Sequence, residues 1–184
     1  CDPISWGVVY DTFFGHQWGW AANEVYLSQV RGIFGYAINE CNEVGFWGTL
    51  QTQGDRASLG FPVGVINSRI HTMNQANGFL RHNWAFGGST MGYVGVVDRA
   101  DVGSWQYGLL NLIPASDNVS VYANFTYVAP SSASGLVGSA EDQWNVSVGL
   151  MYSFGGKAVS PTVSGQAGLP LLPVANNGSF LITN

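Results

Sequence analysis

Charge is what these 184 residues have least of. Only 9% are Asp, Glu, Lys or Arg, against about 25% in an ordinary soluble domain. A surface that faces water normally carries more than that. The net charge is −5, which argues against nucleic acid as a partner, because phosphate backbones are met by clustered Lys and Arg. No apolar run reaches the roughly 18–20 residues of a transmembrane helix. A chain of this kind therefore enters a membrane only as strands, since helices and closed barrels alone satisfy their backbone hydrogen bonds in lipid. Cysteine is limited to Cys1 and Cys41, which allow one disulfide in an oxidising compartment. No signal peptide is visible, so a secreted protein is expected to have lost it already.

The residues of site chemistry are equally sparse. His16, His71 and His82 show no ligand spacing with one another or with Cys, so no metal is expected. Asp98 and Asp101 read as an ordinary Asp-rich turn. There is no Gly-x-Ser-x-Gly, phosphate loop or dinucleotide fingerprint. The expectation is a protein without enzyme activity and without a cofactor.

What the sequence has in quantity is aromatics, at 14%, and 25 glycines. It also has a dominant period of two. Trp144, Val146, Val148, Leu150, Tyr152 and Phe154 alternate with Asn145, Ser147, Gly149, Met151 and Ser153. Such alternation means a β-strand with one apolar face. Aromatics at both ends and aliphatics between is the layout of a strand that crosses a bilayer. Val119–Tyr127 reads the same way, after a strand over Trp105–Ile113 and a turn from Pro114 to Asn118. Earlier, Tyr26, Val30, Phe34, Tyr36 and Ile38 share a face, and Leu27, Gln29, Arg31, Ile33 and Gly35 share the other. A turn at Asn39–Asn42 leads to Val44, Phe46, Gly48 and Leu50. A third hairpin is predicted over Gly64–Met73 and Phe79–Phe86, with its turn at Asn74–Gly78, where the Asn77-Gly78 pair favours the positive φ of a tight turn. Ser89–Val97 and a first strand near Trp6–Phe14 complete about nine strands.

The predicted fold is all-β: an antiparallel up-and-down meander of about 8–10 strands, an outer-membrane-type β-barrel or part of one. It is expected to occupy residues 1–154. Residues 155–184, rich in Pro, Gly and Asn, read as an irregular tail that docks on the barrel. With the more apolar face outward, Asp11, Arg31, Arg69, His71 and Arg81 all point inward. They either line a pore and set its selectivity or form paired networks in a packed interior.

Three stretches carry a family resemblance. They are Trp6–Asp11 (WGVVYD), Val30–Thr49 (VRGIFGYAINECNEVGFWGT) and Leu169–Phe180 (LPLLPVANNGSF). Together they resemble an uncharacterised family of envelope proteins from planctomycete bacteria, and the tail motif is the most specific of the three. The resemblance implies a cell-envelope compartment. It also implies a longer N-terminus with further strand-like repeats, so that this chain is a C-terminal or processed portion. It implies no catalytic residue.

The functional expectation is a bacterial outer-membrane or cell-surface β-barrel, a passive pore or a structural envelope component. Its partner is membrane lipid, with a second copy or an N-terminal strand segment completing the barrel. The alternative is a self-assembling extracellular, surface-layer or filament β-protein packed through its apolar strand faces.

Overall fold

A computed structural model describes residues 3–18, 23–61, 64–98, 103–129, 143–154, 158 and 182–183. The chain is all-β, with no helix among the described residues. Its strands are β1 (Ile4–Trp18), β2 (Asn23–Ala37), β3 (Asn42–Gln53), β4 (Asp55–Phe61), β5 (Gly64–Thr72), β6 (Gln75–Asn83), β7 (Ser89–Val97), β8 (Trp105–Pro114), β9 (Val119–Ala129), β10 (Gln143–Tyr152) and the short β11 (Ile182–Thr183). Eight of them form one antiparallel sheet in the order β1-β2-β3-β6-β7-β8-β9-β10, curled into a half-barrel. β1 and β10 are its two edges and run in opposite directions. β4, β5 and β11 form a separate three-stranded sheet.

The predicted third hairpin is corrected. β5 and β6 do not pair with each other. β5 pairs with β4, whereas β6 lies between β3 and β7. The long β3–β6 hairpin is interrupted at Gly54 and at Met73–Asn74, and its far end continues as the β4–β5 hairpin. Asn77 and Gly78 sit in the middle of β6, opposite Trp47 and Phe46. The described glycine with positive φ is Gly87, at 90°, in the β6–β7 turn. In place of a turn, Asn74 forms a joint. Its Oδ1 accepts the Gln51 N–H at 2.6 Å, and its Nδ2 donates to Asp98 Oδ2 at 2.6 Å. Asp98 is thus engaged in tying β7 to this joint.

The two ends of the sheet differ. At one end the connections are short: Ile38–Cys41, Trp84–Gly88 and Ala115–Asn118. Asn39 Oδ1 holds the first of these through the N–H groups of Cys41 and Asn42 at 3.0 and 2.8 Å. At the other end lie the β4–β5 extension and the long β9–β10 connection. Short turns at one rim and long loops at the other is the barrel arrangement. Most of the predicted tail lies outside the described residues, but two parts of it make contacts. Ala158 is buried, donates its N–H to Asp117 O at 2.7 Å, and accepts from Ser120 Oγ at 3.0 Å. Ile182 and Thr183 pair with Thr72 and His71.

Candidate functional site: the two faces of the curled sheet

The outward face is apolar on every strand of the eight-stranded sheet. Trp6, Phe46 and Leu150 are more than two-thirds exposed, at 71%, 72% and 76%. The register makes this face continuous. Trp6 lies opposite Phe34, Phe34 opposite Phe46, Val94 opposite Tyr107, Leu109 opposite Phe125, and Val121 opposite Leu150. An exposed apolar surface of this extent marks an interaction face. Polar and aromatic groups gather toward its rims. Near the short turns, His82 Nδ1 lies 2.9 Å from Asn42 Oδ1 and its ring packs edge-on against Trp84. Trp84 Nε1 donates to Thr90 Oγ1 at 3.0 Å, and Thr90 donates to Asn111 Oδ1 at 2.8 Å. Toward the other rim, Tyr107 packs on Tyr127 and Phe14 on Tyr26, with ring centroids 5.0 and 4.6 Å apart.

The inward face is polar and filled. Arg31 is 1% exposed, and its Nε and Nη2 reach the Asp11 carboxylate at 2.5 and 3.1 Å. Arg81 Nη1 donates to Glu43 Oε2 at 2.8 Å, and Ser5 Oγ donates to the other oxygen of Glu43. The Arg81 guanidinium also lies 5.3 Å from the Phe79 ring centre, in cation–π range. Gln106 Nε2 bridges Gln75 Oε1 and Asn77 Oδ1 at 2.5 and 2.7 Å. Tyr93 reaches across β8 to Thr126 Oγ1 at 2.6 Å, and its ring meets Trp47 edge-on. Ile33, Trp47, Phe79, Met91 and Tyr93 form one buried cluster.

Inward glycines make these long reaches possible. A Cβ on Gly35 would overlap Glu43 and Ser5, one on Gly108 would overlap the Tyr93 ring, and one on Gly149 would overlap the Tyr122 ring. Alternating large and small residues is how a narrow barrel fills its taper.

The predicted inward residues therefore divide. Asp11, Arg31 and Arg81 lie on the inner face of the main sheet. Arg69 and His71 lie on β5, in the smaller sheet, and so do not face β6 as the predicted third hairpin would place them. Arg69 pairs with Arg56 and His71 with Thr183. Glu43, the partner of Arg81, was not singled out from sequence, although its odd position beside Val44 and Phe46 places it inward by parity. Cys41 is exposed in the β2–β3 turn; Cys1, its expected disulfide partner, lies outside the described residues.

A model of a family of unknown function, DUF6666, matches residues 1–182. The chain belongs to that family. No curated protein and no solved structure matches it. For this DUF6666 chain the two faces of the sheet are thus the guide to function.

Proposed function

We propose that this chain forms wall of an outer-membrane-type β-barrel, with its convex face in lipid and its interior packed shut, as a structural component of a bacterial envelope and not an enzyme. One observation carries the reading: the polarity of the sheet is inverted relative to a soluble protein. Trp, Phe, Leu and Val point out while Arg, Glu, Gln and Asn are buried. In water the outward face would be an aggregation hazard. In lipid it is the required surface, and aromatic rims fit the two interfaces. The filled interior favours a closed wall over a passive pore, since small barrels fill with side chains and only wide ones conduct. The resemblance to planctomycete envelope proteins points to the same compartment.

Among the described residues β1 and β10 each have one unpaired edge, which supports a role for a partner. An unpaired strand edge does not persist in hydrocarbon. Because β1 and β10 run in opposite directions, either edge accepts an antiparallel strand from a second copy or from an N-terminal strand segment. The same edges favour the second reading, a self-assembling surface-layer or filament protein. Fractionation of the native protein, followed by gel mobility with and without heating, separates the two. Recovery in detergent-extracted membranes with a heat-dependent mobility shift is expected. Recovery as large sedimenting particles without detergent would replace the barrel reading with the assembly reading.

A further inference from the structure

We propose that the small β4–β5 sheet carries a binding site for a phosphate-like oxyanion, built from Arg56, Arg69 and His71 and set apart from the barrel interior. The chain has six Lys and Arg residues in all. Arg31 and Arg81 are each held by a carboxylate inside the main sheet. Arg56 and Arg69 differ: they lie directly opposite each other on β4 and β5, so both side chains leave the same face. Like charges placed so weaken a strand pair. Neither has an ion pair with a carboxylate among the described residues.

Asp55 is adjacent in sequence and lines the same pocket as they do, but it makes no ion pair with either arginine among the described residues. It pairs with Ile70, so by parity it leaves the opposite face. Its two oxygens are taken by backbone donors, Tyr26 N–H at 2.9 Å and Arg56 N–H at 2.7 Å. His71 follows Arg69 by two residues and shares its face. Its Nε2 is buried and lacks a hydrogen-bond partner among the described residues, and the part-exposed His71 side chain lines the pocket beside the two arginines. Gln51, Asp55, Arg56, Arg69 and His71 line one pocket of about 540 Å³, large enough for a tetrahedral oxyanion with its hydration. Two guanidinium forks and an imidazole are the groups that recognise phosphate.

The pocket lies at the long-loop end of the sheet, beside Tyr26 on the outer rim. The same chemistry could therefore be met by a free phosphate or by the phosphate of a lipid headgroup. The inference stands on the β4–β5 extension and its junction with β3, and does not require the membrane reading.

The test uses the full chain, folded in a neutral detergent. Calorimetric titration with inorganic phosphate forms one arm. Binding to mixed micelles with and without phosphatidic acid forms the other. R56Q and R69Q, both at exposed positions, are expected to weaken binding by about tenfold or more each, the scale of one charge-assisted hydrogen bond, and R69K to restore part of it. Arginine-dependent binding of inorganic phosphate supports a solute site. Arginine-dependent binding of phosphatidic acid alone supports a headgroup site. No binding in either arm, or binding that both variants leave unchanged, overturns the proposal. Barrel formation, read by heat-dependent mobility, is expected to be unaffected in all three variants, so failure here is distinct from failure of the wall reading.

Discussion

Glycine has opposite roles at most positions on the two faces of this sheet, Gly7 inside and Gly48 outside being the exceptions. On the inner face Gly35, Gly45, Gly95, Gly108 and Gly149 each occupy space that a neighbouring side chain or backbone needs. On the outer face Gly78 has nothing within 4 Å of where a Cβ would stand, and Gly32 and Gly92 have only a single atom at 4.0 Å. Charge follows the same division. The charged residues in mid-sheet are inside and paired, while the outer face between its rims carries none among the described residues. The inner face is a finished interior whose parts fix one another. The outer face is an apolar surface that the described residues leave uncovered.

The largest expected effect lies in the finished interior. The Arg81–Glu43 pair has side chains only 8% and 1% exposed. Glu43→Ala would leave Arg81 buried without its counter-ion and Ser5 without its acceptor. Breaking one half of a buried pair typically costs about 3–5 kcal/mol. Replacing both halves, as in Glu43→Leu with Arg81→Met, is expected to recover most of that loss, since well-packed apolar substitutes are often close to neutral. Denaturant unfolding in detergent, compared across the single and double variants, measures the difference. A single variant as stable as wild type would mean that water reaches this pair, and the interior would no longer count as packed.

A smaller effect separates the glycines themselves. At Gly95 a Cβ would overlap Ala76 O and Asn77 Oδ1, so Gly95→Val is expected to destabilise by about 1–3 kcal/mol through overpacking. Gly78→Val meets open space. It removes glycine's backbone entropy cost and adds a β-branched residue, so it is expected to be neutral or to stabilise by up to about 1 kcal/mol. Unfolding midpoints in one detergent compare the two. Equal destabilisation by both would show that another chain already fills the outer hollow at Gly78.

Much of this division was legible from parity. Alternation places Arg31 and Arg81 on one face and Phe34 and Phe46 on the other, and the burial of those residues agrees. The turns at Asn39–Asn42 and Pro114–Asn118 were legible because Asn, Asp and Pro act there through local backbone geometry. The β4–β5 extension was not. Its entry at Gly54 and its exit at Met73–Asn74 carry turn-type residues that make no turn here, and what makes the joint is a long-range contact, Asn74 to Asp98. Asn77-Gly78 misled because the pair favours positive φ in isolation, whereas here β3 and β7 flank it and hold it extended. The opposition of Arg56 and Arg69 follows only once that hairpin is in place.

The smallest expected effect tests how the extension is fastened to the wall. Asp55 fixes β4 to β2 through the Tyr26 N–H at 2.9 Å. That bond, with the one from the Arg56 N–H, holds the Asp55 carboxyl below its ordinary range. A carboxyl with a lowered value in the folded state stabilises it when ionised. The contribution is complete above the ordinary aspartate value, about 3.9. It declines as pH falls below that, and is gone once pH passes beneath the lowered folded value. Hydrogen exchange at the Tyr26 amide is therefore expected to speed up, relative to neighbouring β2 amides, only in that acidic window. D55N should abolish the pH dependence while keeping part of the protection, because the amide oxygen still accepts. The inner-face amides of Arg31 and Glu43 are expected to stay protected throughout, since their strands are held by pairing on both sides. If they open together with Tyr26, the extension and the wall unfold as one unit, and the contrast between a finished interior and a fastened appendage fails at this joint.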